Sequence, residues 1–109
     1  MISRTMATHP YKRARLSRDE AEGLAIDALA FLAADETRLI PFLRATGIDP
    51  AAIRREAGSP EFLAGVLDFL MSDDSLLLVF AAHRALDPNL VAAARRALMP
   101  GTAGEGYET

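Results

Sequence analysis

Apolar residues recur along this chain at helical spacing, and each apolar segment follows a residue that starts helices. Ser17 and Glu20 form a capping box, in which the serine accepts from the third helical amide while the glutamate reaches back to the serine amide. The segment after them predicts a first helix that runs to about Ala34. Its apolar positions follow the 3.6-residue period: Leu24, Ala25, Ala28, Leu29, Phe31 and Leu32.

Further helix-starting residues divide the rest of the chain. Each predicted cap is an aspartate or serine, whose side-chain oxygen accepts from a free amide of the first turn: Asp35, Asp49, Ser59, Asp73 and Asp87. Proline follows three of these caps, at the first helical position, where its missing N–H costs nothing. Gly47 and Gly58 mark helix ends. The pattern therefore predicts an all-α fold, a compact bundle of about six short helices.

Two of the predicted helices carry unusual features. Pro41 lies within the second helix and removes a backbone hydrogen bond, so either this helix bends there or its regular part starts near Pro41. The fifth helix is apolar on every side from Leu76 to Ala82. A helix that is apolar all round is typical of the centre of a fold, so we expect the fifth helix to be central.

The chain also repeats itself without a gap. Residues 24–57 align with residues 62–95 with eight identities in 34 pairs. The identical residues are apolar positions and helix starts: Leu29, Phe31, Leu32, Asp35, Leu39, Phe42, Asp49 and Pro50 match Leu67, Phe69, Leu70, Asp73, Leu77, Phe80, Asp87 and Pro88. The pattern predicts two degenerate three-helix repeats that pack against each other around the second and fifth helices.

Composition sets the domain limits and excludes several classes of protein. Residues 1–16 are basic and lack periodicity, and residues 100–109 hold three glycines, so we expect a disordered arm and a disordered tail around a helical domain at residues 17–99. Met6 is an alternative start. The chain has no cysteine, which excludes disulfides, thiolate metal sites and cysteine catalysis. No apolar run reaches the membrane-spanning length of about 18 residues, and we expect a cytoplasmic protein.

Several short motifs occur in an order that resembles a known family. They are Ala28–Asp35, Phe42–Gly47 with Asp49 and Pro50, Phe62–Leu70, and Asp73–Leu77. The chain is similar over about residues 18–98 to a small bacterial family known as a domain of unknown function, DUF family 3572. The resemblance implies a compact helical bacterial protein of about this length. It implies no activity, cofactor or catalytic residue, and genes of this family can neighbour signalling genes, which points to regulation. Pro41 departs from the family's pattern.

Candidate catalytic and metal-binding residues are few. His83 is the one histidine of the predicted domain, and no serine or aspartate stands at a spacing that would build a triad with it. We therefore interpret His83 as a half-exposed helical residue and expect no enzyme. Asp68, Asp73 and Asp74 form an acidic group, but they lack the calcium-loop pattern, and capping accounts for Asp73. We expect no metal, cofactor or small-molecule ligand.

The sequence favours the function of a non-catalytic protein–protein interaction or adaptor module. The fourth helix has apolar residues on more than one face. Phe62, Val66 and Phe69 are the candidate interaction residues, either for another protein or for self-association. The alternative for this stripe is burial under the second repeat.

A weak nucleic-acid binder is the alternative function. Lys12, Arg13, Arg15 and Arg18 give the N-terminal arm a basic cluster that can meet phosphates. The helix after Ser59 does not suit the major groove, because it presents Glu61 and Asp68 in place of base-reading side chains. Any nucleic-acid contact would therefore be nonspecific and carried by the arm.

Overall fold

The computed structural model describes residues 16–99, which form six α-helices and one 3-10 turn. The helices are α1 (Arg18–Ala33), α2 (Glu36–Thr46), α3 (Ile53–Glu56, directly after the 3-10 turn Pro50–Ala52), α4 (Pro60–Met71), α5 (Asp74–Arg84) and α6 (Asn89–Leu98). Residues 16–99 contain no strand, so the all-α prediction is confirmed. Residues 1–15 of the predicted arm and residues 100–109 of the predicted tail lie outside the described residues, whereas Leu16, the last residue of the predicted arm, is buried in the core.

The helix starts predicted at Ser17, Asp35, Ser59 and Asp73 are confirmed by their hydrogen bonds, whereas α6 begins at Asn89 with Pro88, and not Asp87, as its N-cap. Ser17 and Glu20 form both halves of the capping box, with N–O distances of 2.8 and 3.0 Å. Asp35 accepts from the Thr37 amide at 2.9 Å, and Asp73 accepts from the Leu76 amide at 3.1 Å. Each carboxylate thus satisfies an amide that has no partner within its own helix.

Helices α1, α4 and α6 form the centre of the bundle, because each packs along the other two. Their apolar faces supply most of the core, in which the largest fully buried side chains from these helices are Leu32, Val66, Leu67, Leu70, Val91 and Leu98. Helix α6 buries five of its ten residues. The core therefore depends on three helices from both halves of the sequence.

Helices α2 and α5 lie at the periphery, and the predicted central position of α5 is wrong. Phe42 is the buried residue of α2, and Phe80 and Ala81 are the buried residues of α5. Leu78 and Val79 of α5 are 56% and 52% exposed. The mutual packing of α1, α4 and α6 fills the centre, so only one face of α5 finds a surface to cover it. The packing of the halves around α2 and α5 is wrong for the same reason.

Helix α2 is continuous through Pro41. It begins after its Asp35 cap and runs to Thr46, so the expectation that its regular part starts near Pro41 is wrong. Pro41 is exposed, and its ring adds no group to the core. The missing N–H therefore leaves one carbonyl of the preceding turn without its helical donor, on a helix held chiefly by Phe42.

The two halves share packing positions but differ in their third helix. Phe42 and Phe80 occupy equivalent places in the repeat, and both are fully buried. Asp49 and Asp87 each accept from the amide two residues later. The short α3 buries no residue, whereas α6 is a central helix. The two halves thus correspond in their capping aspartates and in their buried phenylalanines.

None of the helices α1 to α6 is by itself long and apolar enough to cross a membrane. Helices α5 and α6 reach that length and apolar character only when they are taken together, and the chain bends by 94° between them.

The ends of α2 and α5 provide a test of backbone strain. Gly47 and Ala85 are equivalent in the repeat, and both adopt the left-handed conformation, with φ of 71° and 54°. That conformation costs an L-residue about 1–2 kcal/mol and costs glycine almost nothing. We therefore expect Ala85→Gly to stabilise the protein by up to about 1 kcal/mol and Gly47→Ala to destabilise it by about 1 kcal/mol. Urea unfolding of both variants checks the pair, and a destabilised Ala85→Gly would contradict it.

The Asp35 cap predicts a pH dependence of stability. The pKa of Asp35 is lowered by hydrogen bonds from the Thr37 hydroxyl, at 2.8 Å, and from the Thr37 amide, and then by Arg38. A carboxyl whose pKa is lower in the folded state stabilises that state above its unfolded pKa, and this contribution is lost as the pH falls through the folded value. We expect Asp35→Asn to flatten the acid side of the melting-temperature profile below about pH 4. If the melting temperatures of the wild-type protein and of Asp35→Asn fall in parallel on the acid side, this prediction is contradicted.

Candidate functional site

The outer face of α5 is the most prominent apolar surface on the helices. We define it as Ser75, Leu78, Val79 and Ala82, which are all exposed and follow one another at the spacing of one helical face. The other large exposed apolar residues, Ile26 and Ile40, stand singly on α1 and α2. Single exposed apolar residues are normal, whereas adjacent ones on one face form a patch.

The opposite side of α5 holds the helix against α1 through aromatic contacts. The Phe80 ring lies 5.3 Å from the Phe31 ring, centroid to centroid. The His83 ring lies 5.7 Å from the same Phe31 ring. Because Phe80 is fully buried, it is the main anchor of α5, and the outer face points away from this anchor.

Arg38 of α2 covers the Phe31 ring from another direction. Its guanidinium carbon lies 4.0 Å from the ring centroid, a cation–π contact, and its terminal nitrogen lies 3.9 Å from a carboxylate oxygen of Asp35. The Nε atom of Arg38 is buried without a hydrogen-bond partner. Phe31 therefore joins α2 and α5 to α1, and Arg38 acts there as a packing residue.

A cleft of about 360 Å³ lies between the start of α1 and the end of α5. It is lined by Glu20, Gly23, Leu24, Asp27, Arg84, Ala85 and Leu86. A hydrogen-bonded ion pair joins Arg84 to Asp27 at 2.9 Å. Both side chains are nearly half exposed, so the pair contributes no more than about 1 kcal/mol to the link between α5 and α1. The charged side chains that line the cleft are thus engaged in contacts within the protein.

Asp68 and Asp73, which belong to the acidic group at the junction of α4 and α5, are also engaged in contacts within the protein. Asp68 accepts two hydrogen bonds from Arg95 of α6, at 3.0 and 3.2 Å, and this contact raises the pKa of Arg95. Asp73 caps α5, as predicted. Within residues 16–99, no three histidine, aspartate or glutamate side chains gather as a metal site would require.

Comparison with family models matches residues 18–101 to a family described as a protein of unknown function, DUF3572. The chain belongs to the DUF3572 family. The DUF3572 match begins at the first residue of α1 and extends past the end of α6, so the family corresponds to the whole helical unit. The resemblance noted in the sequence is confirmed. No curated protein and no solved structure matches the chain.

The predicted interaction stripe of this DUF3572 protein is corrected by the structure. Val66 is fully buried, so it is wrong as a surface residue. Phe62 and Phe69 are partly buried, and their rings lie 6.0 and 5.4 Å from the ring of Phe42 in edge-to-face arrangements. The stripe is therefore largely a packing surface for α2, because Phe42 of α2 contacts both of these rings.

The predicted nucleic-acid residues fall mostly outside the described part of the DUF3572 chain. Lys12, Arg13 and Arg15 precede residue 16, and their role stays a prediction. Arg18 is exposed at the first position of α1, where its guanidinium lies 3.7 Å from the Glu22 carboxylate. The pKa of nearby Glu61 is lowered by its own backbone amide, by Ser59 and, to a smaller extent, by Arg18.

Leu78 and Val79 are the candidate functional residues that sequence reasoning missed in this DUF3572 protein. The signal was visible, because α5 has more apolar positions than one core-facing stripe requires. From the sequence alone, a helix with this surplus is expected to be buried on all sides. Periodicity alone cannot distinguish a central helix from a peripheral helix with an apolar outer face, since both have the same sequence pattern.

Proposed function

We propose that this DUF3572 protein is a non-catalytic protein-interaction module that binds its partner through the outer face of α5. The observation that carries the proposal is the exposure of two large apolar neighbours, Leu78 and Val79, on one helix face. Covering such side chains with a partner contributes roughly 25 cal/mol for each Å² of apolar surface removed from water. An amphipathic helix laid against an apolar groove is a common form of protein recognition.

The anchoring of α5 supports this role. Phe80 and the Arg84–Asp27 ion pair, one helical turn apart, both hold the C-terminal half of α5 against α1, so the outer face is presented by an ordered helix. A docking surface that is ordered before binding loses less conformational entropy when the partner arrives. The outer face therefore suits binding better than a flexible segment of the same composition would.

The absence of a catalytic role is part of the proposal. His83 contacts the Phe31 ring, while Asp27, an acid of α1 that reaches the same end of α5, is engaged in an ion pair with Arg84. General acid–base catalysis needs a group within hydrogen-bond reach of a substrate proton, with a second group to orient it. The engagement of Asp27 with Arg84 argues against that acid as the orienting group for His83.

Three further features belong to the proposal. We propose that the two halves are degenerate copies of one three-helix unit, on the strength of their matching caps and phenylalanine anchors. We also propose that the protein is bacterial and acts in the cytoplasm, in a regulatory setting. The absence of cysteine supports a reducing compartment.

A comparative pull-down tests the interaction role. Wild-type protein, Leu78→Glu and Ile40→Glu are each used to capture proteins from bacterial lysate after chemical cross-linking. Ile40 is the matched control, because it is the repeat counterpart of Leu78 and is 44% exposed on α2. We expect a specific partner, or the chain itself, to be lost with Leu78→Glu and retained with Ile40→Glu. Equal capture by all three proteins, or capture of nothing, would overturn the proposal.

A further inference from the structure

We propose that residues 11–15 of this chain bind in the cleft between the start of α1 and the end of α5. We call them the basic segment, because they carry three cations and no acid: Lys12, Arg13 and Arg15. The contact lies within one chain, and it involves a surface other than the outer face of α5. The inference is therefore independent of the proposed function, and its test is separate.

The cleft has an excess of negative charge. It is lined by two carboxylates, those of Glu20 and Asp27, and by one guanidinium, that of Arg84. Arg84 donates its hydrogen bond to Oδ2 of Asp27, and a carboxylate accepts through both of its oxygens. Asp27 is therefore able to accept from a second cation while it keeps its contact with Arg84. A cation in the cleft is attracted by this excess charge, whereas an anion is repelled.

The two segments that join at residue 16 have opposite charges. Residues 1–15, which precede the described part of the chain, carry four basic residues and no acid. Helix α1 carries one basic residue, Arg18, and four acids: Asp19, Glu20, Glu22 and Asp27. Attraction between the two segments is strongest at low ionic strength, because salt screens charges that are exposed to solvent.

The basic segment is long enough to reach along the cleft. Leu16 is buried in the core, and Glu20 of the cleft accepts a hydrogen bond from the Ser17 amide at 2.8 Å, so the chain enters α1 beside the cleft. A chain extended from Leu16 back to Tyr11 spans about 17 Å, at about 3.3 Å for each residue. Along the axis of α1, Asp27 lies about 17 Å from Leu16, at about 1.5 Å for each residue. The two lengths match, so the basic segment can contact the cleft from Glu20 to Asp27.

The cleft also has an apolar part that suits Tyr11. This part is formed by Leu24, Ala85 and Leu86, and the space above Gly23 is open. The cleft volume of about 360 Å³ is in the range of sites that hold small organic groups. Tyr11 is the only phenylalanine, tyrosine or tryptophan before residue 16, and its ring has an apolar body with a polar tip that can stay in water. We expect this ring to lie against the apolar part.

The covalent link compensates for the small size of the contact. Exposed ion pairs contribute little individually, so the same peptide as a separate molecule is expected to bind poorly. A tether of a few residues holds the basic segment near the cleft at an effective concentration in the millimolar range. Lys12, Arg13 and Arg15 are also predicted nucleic-acid residues, and they are withheld from phosphates while the segment is bound. The cleft thus regulates any phosphate contact that these residues make.

A nitroxide spin label on His9→Cys tests the contact in the full chain, because the sequence has no cysteine of its own. Glu61 is the reference position, because the charge of Arg18 acts on it, which places it near the start of α1 as well. We expect the amide signals of residues 84–86 to be broadened at least twice as strongly as that of Glu61, and this difference to disappear in high salt. Equal broadening at both places, or broadening at neither, rules the contact out.

Arg15→Glu and Arg4→Glu are the matched variants for this measurement. Both change the net charge of the chain equally, but only Arg15 belongs to the basic segment. We expect Arg15→Glu to reduce the excess broadening at residues 84–86 by at least half and Arg4→Glu to leave it unchanged, with circular dichroism confirming that both variants are folded. If the two variants have the same effect, whether large or none, the proposed site is wrong.

Discussion

Replacing Phe42 with alanine is expected to lower the free energy of unfolding by about 3–5 kcal/mol. Phe42 is fully buried and is the only buried residue of α2 within the described chain. Its ring packs against those of Phe62 and Phe69, so truncation leaves a cavity bordered by two aromatic rings that have lost their edge-to-face partner. Helix α2 has no second anchor of similar size, and we expect its packing on α4 to weaken most.

Urea unfolding followed by far-ultraviolet circular dichroism measures this loss, because the chain contains no tryptophan for a fluorescence signal. Ile40→Ala is the matched control on the same helix. Ile40 is 44% exposed, so its truncation is expected to cost less than about 1 kcal/mol. If the two variants lose similar amounts, Phe42 is not the anchor of α2.

Replacing Val66 with aspartate is expected to abolish cooperative folding at 25 °C. Val66 is fully buried in α4, between α1 and α6, in a core that contains no buried polar or charged residue among those described. An unpaired carboxylate there costs several kcal/mol in lost hydration, in addition to the lost burial of the valine side chain. A domain of this size is stable by only about 5–15 kcal/mol, so most of that stability is removed.

Leu78→Asp is the contrasting variant and is expected to change the melting temperature of the monomer by only a few degrees. Leu78 is mostly exposed, so its aspartate remains hydrated. Thermal melts of both variants at low protein concentration, where association does not contribute, check the pair. A folded Val66→Asp protein with a near-normal melting temperature would contradict the position of Val66 in the core.

Local features of the sequence predicted most of the secondary structure. Ser17 and Asp35 each begin a helix where the pattern placed the start, because capping depends on residues within one turn of the cap. Gly47 ends α2 for a similarly local reason, namely the left-handed conformation that glycine adopts at low cost. The helical boundaries are therefore encoded in short segments and can be read without knowledge of the packing.

The arrangement of the helices was harder to predict, because it depends on a competition among apolar surfaces. Helices α5 and α6 both carry enough apolar residues to enter the centre, and α6 occupies it. The sequence alone does not distinguish surface from core for the stripe of Phe62, Val66 and Phe69, for the same reason. Phe42, which lies 20 positions before Phe62 and 27 before Phe69, covers the stripe. Such long-range contacts leave no periodic signal in the segment that they cover.

The candidate site lies on a different helix from the one that the sequence indicates. The surplus of apolar residues on α4 predicts an interaction role for that helix, and the interaction role itself stays a prediction. Leu78 and Val79 became candidates only when their exposure was known. The charges of Asp27 and Arg84 also meet across 57 positions, and no local pattern indicates their pairing.

The small number of buried side chains on each peripheral helix has a consequence for the order in which amide hydrogens exchange with solvent. Helices α1, α4 and α6 bury one another, so their amides are released only when the whole domain opens. Helices α2 and α5 bury only Phe42, and Phe80 with Ala81, and their amides therefore exchange through smaller, local openings. The helix that presents the proposed binding face is thus also one of the first to leave the native structure, and a partner bound to it would slow that exchange.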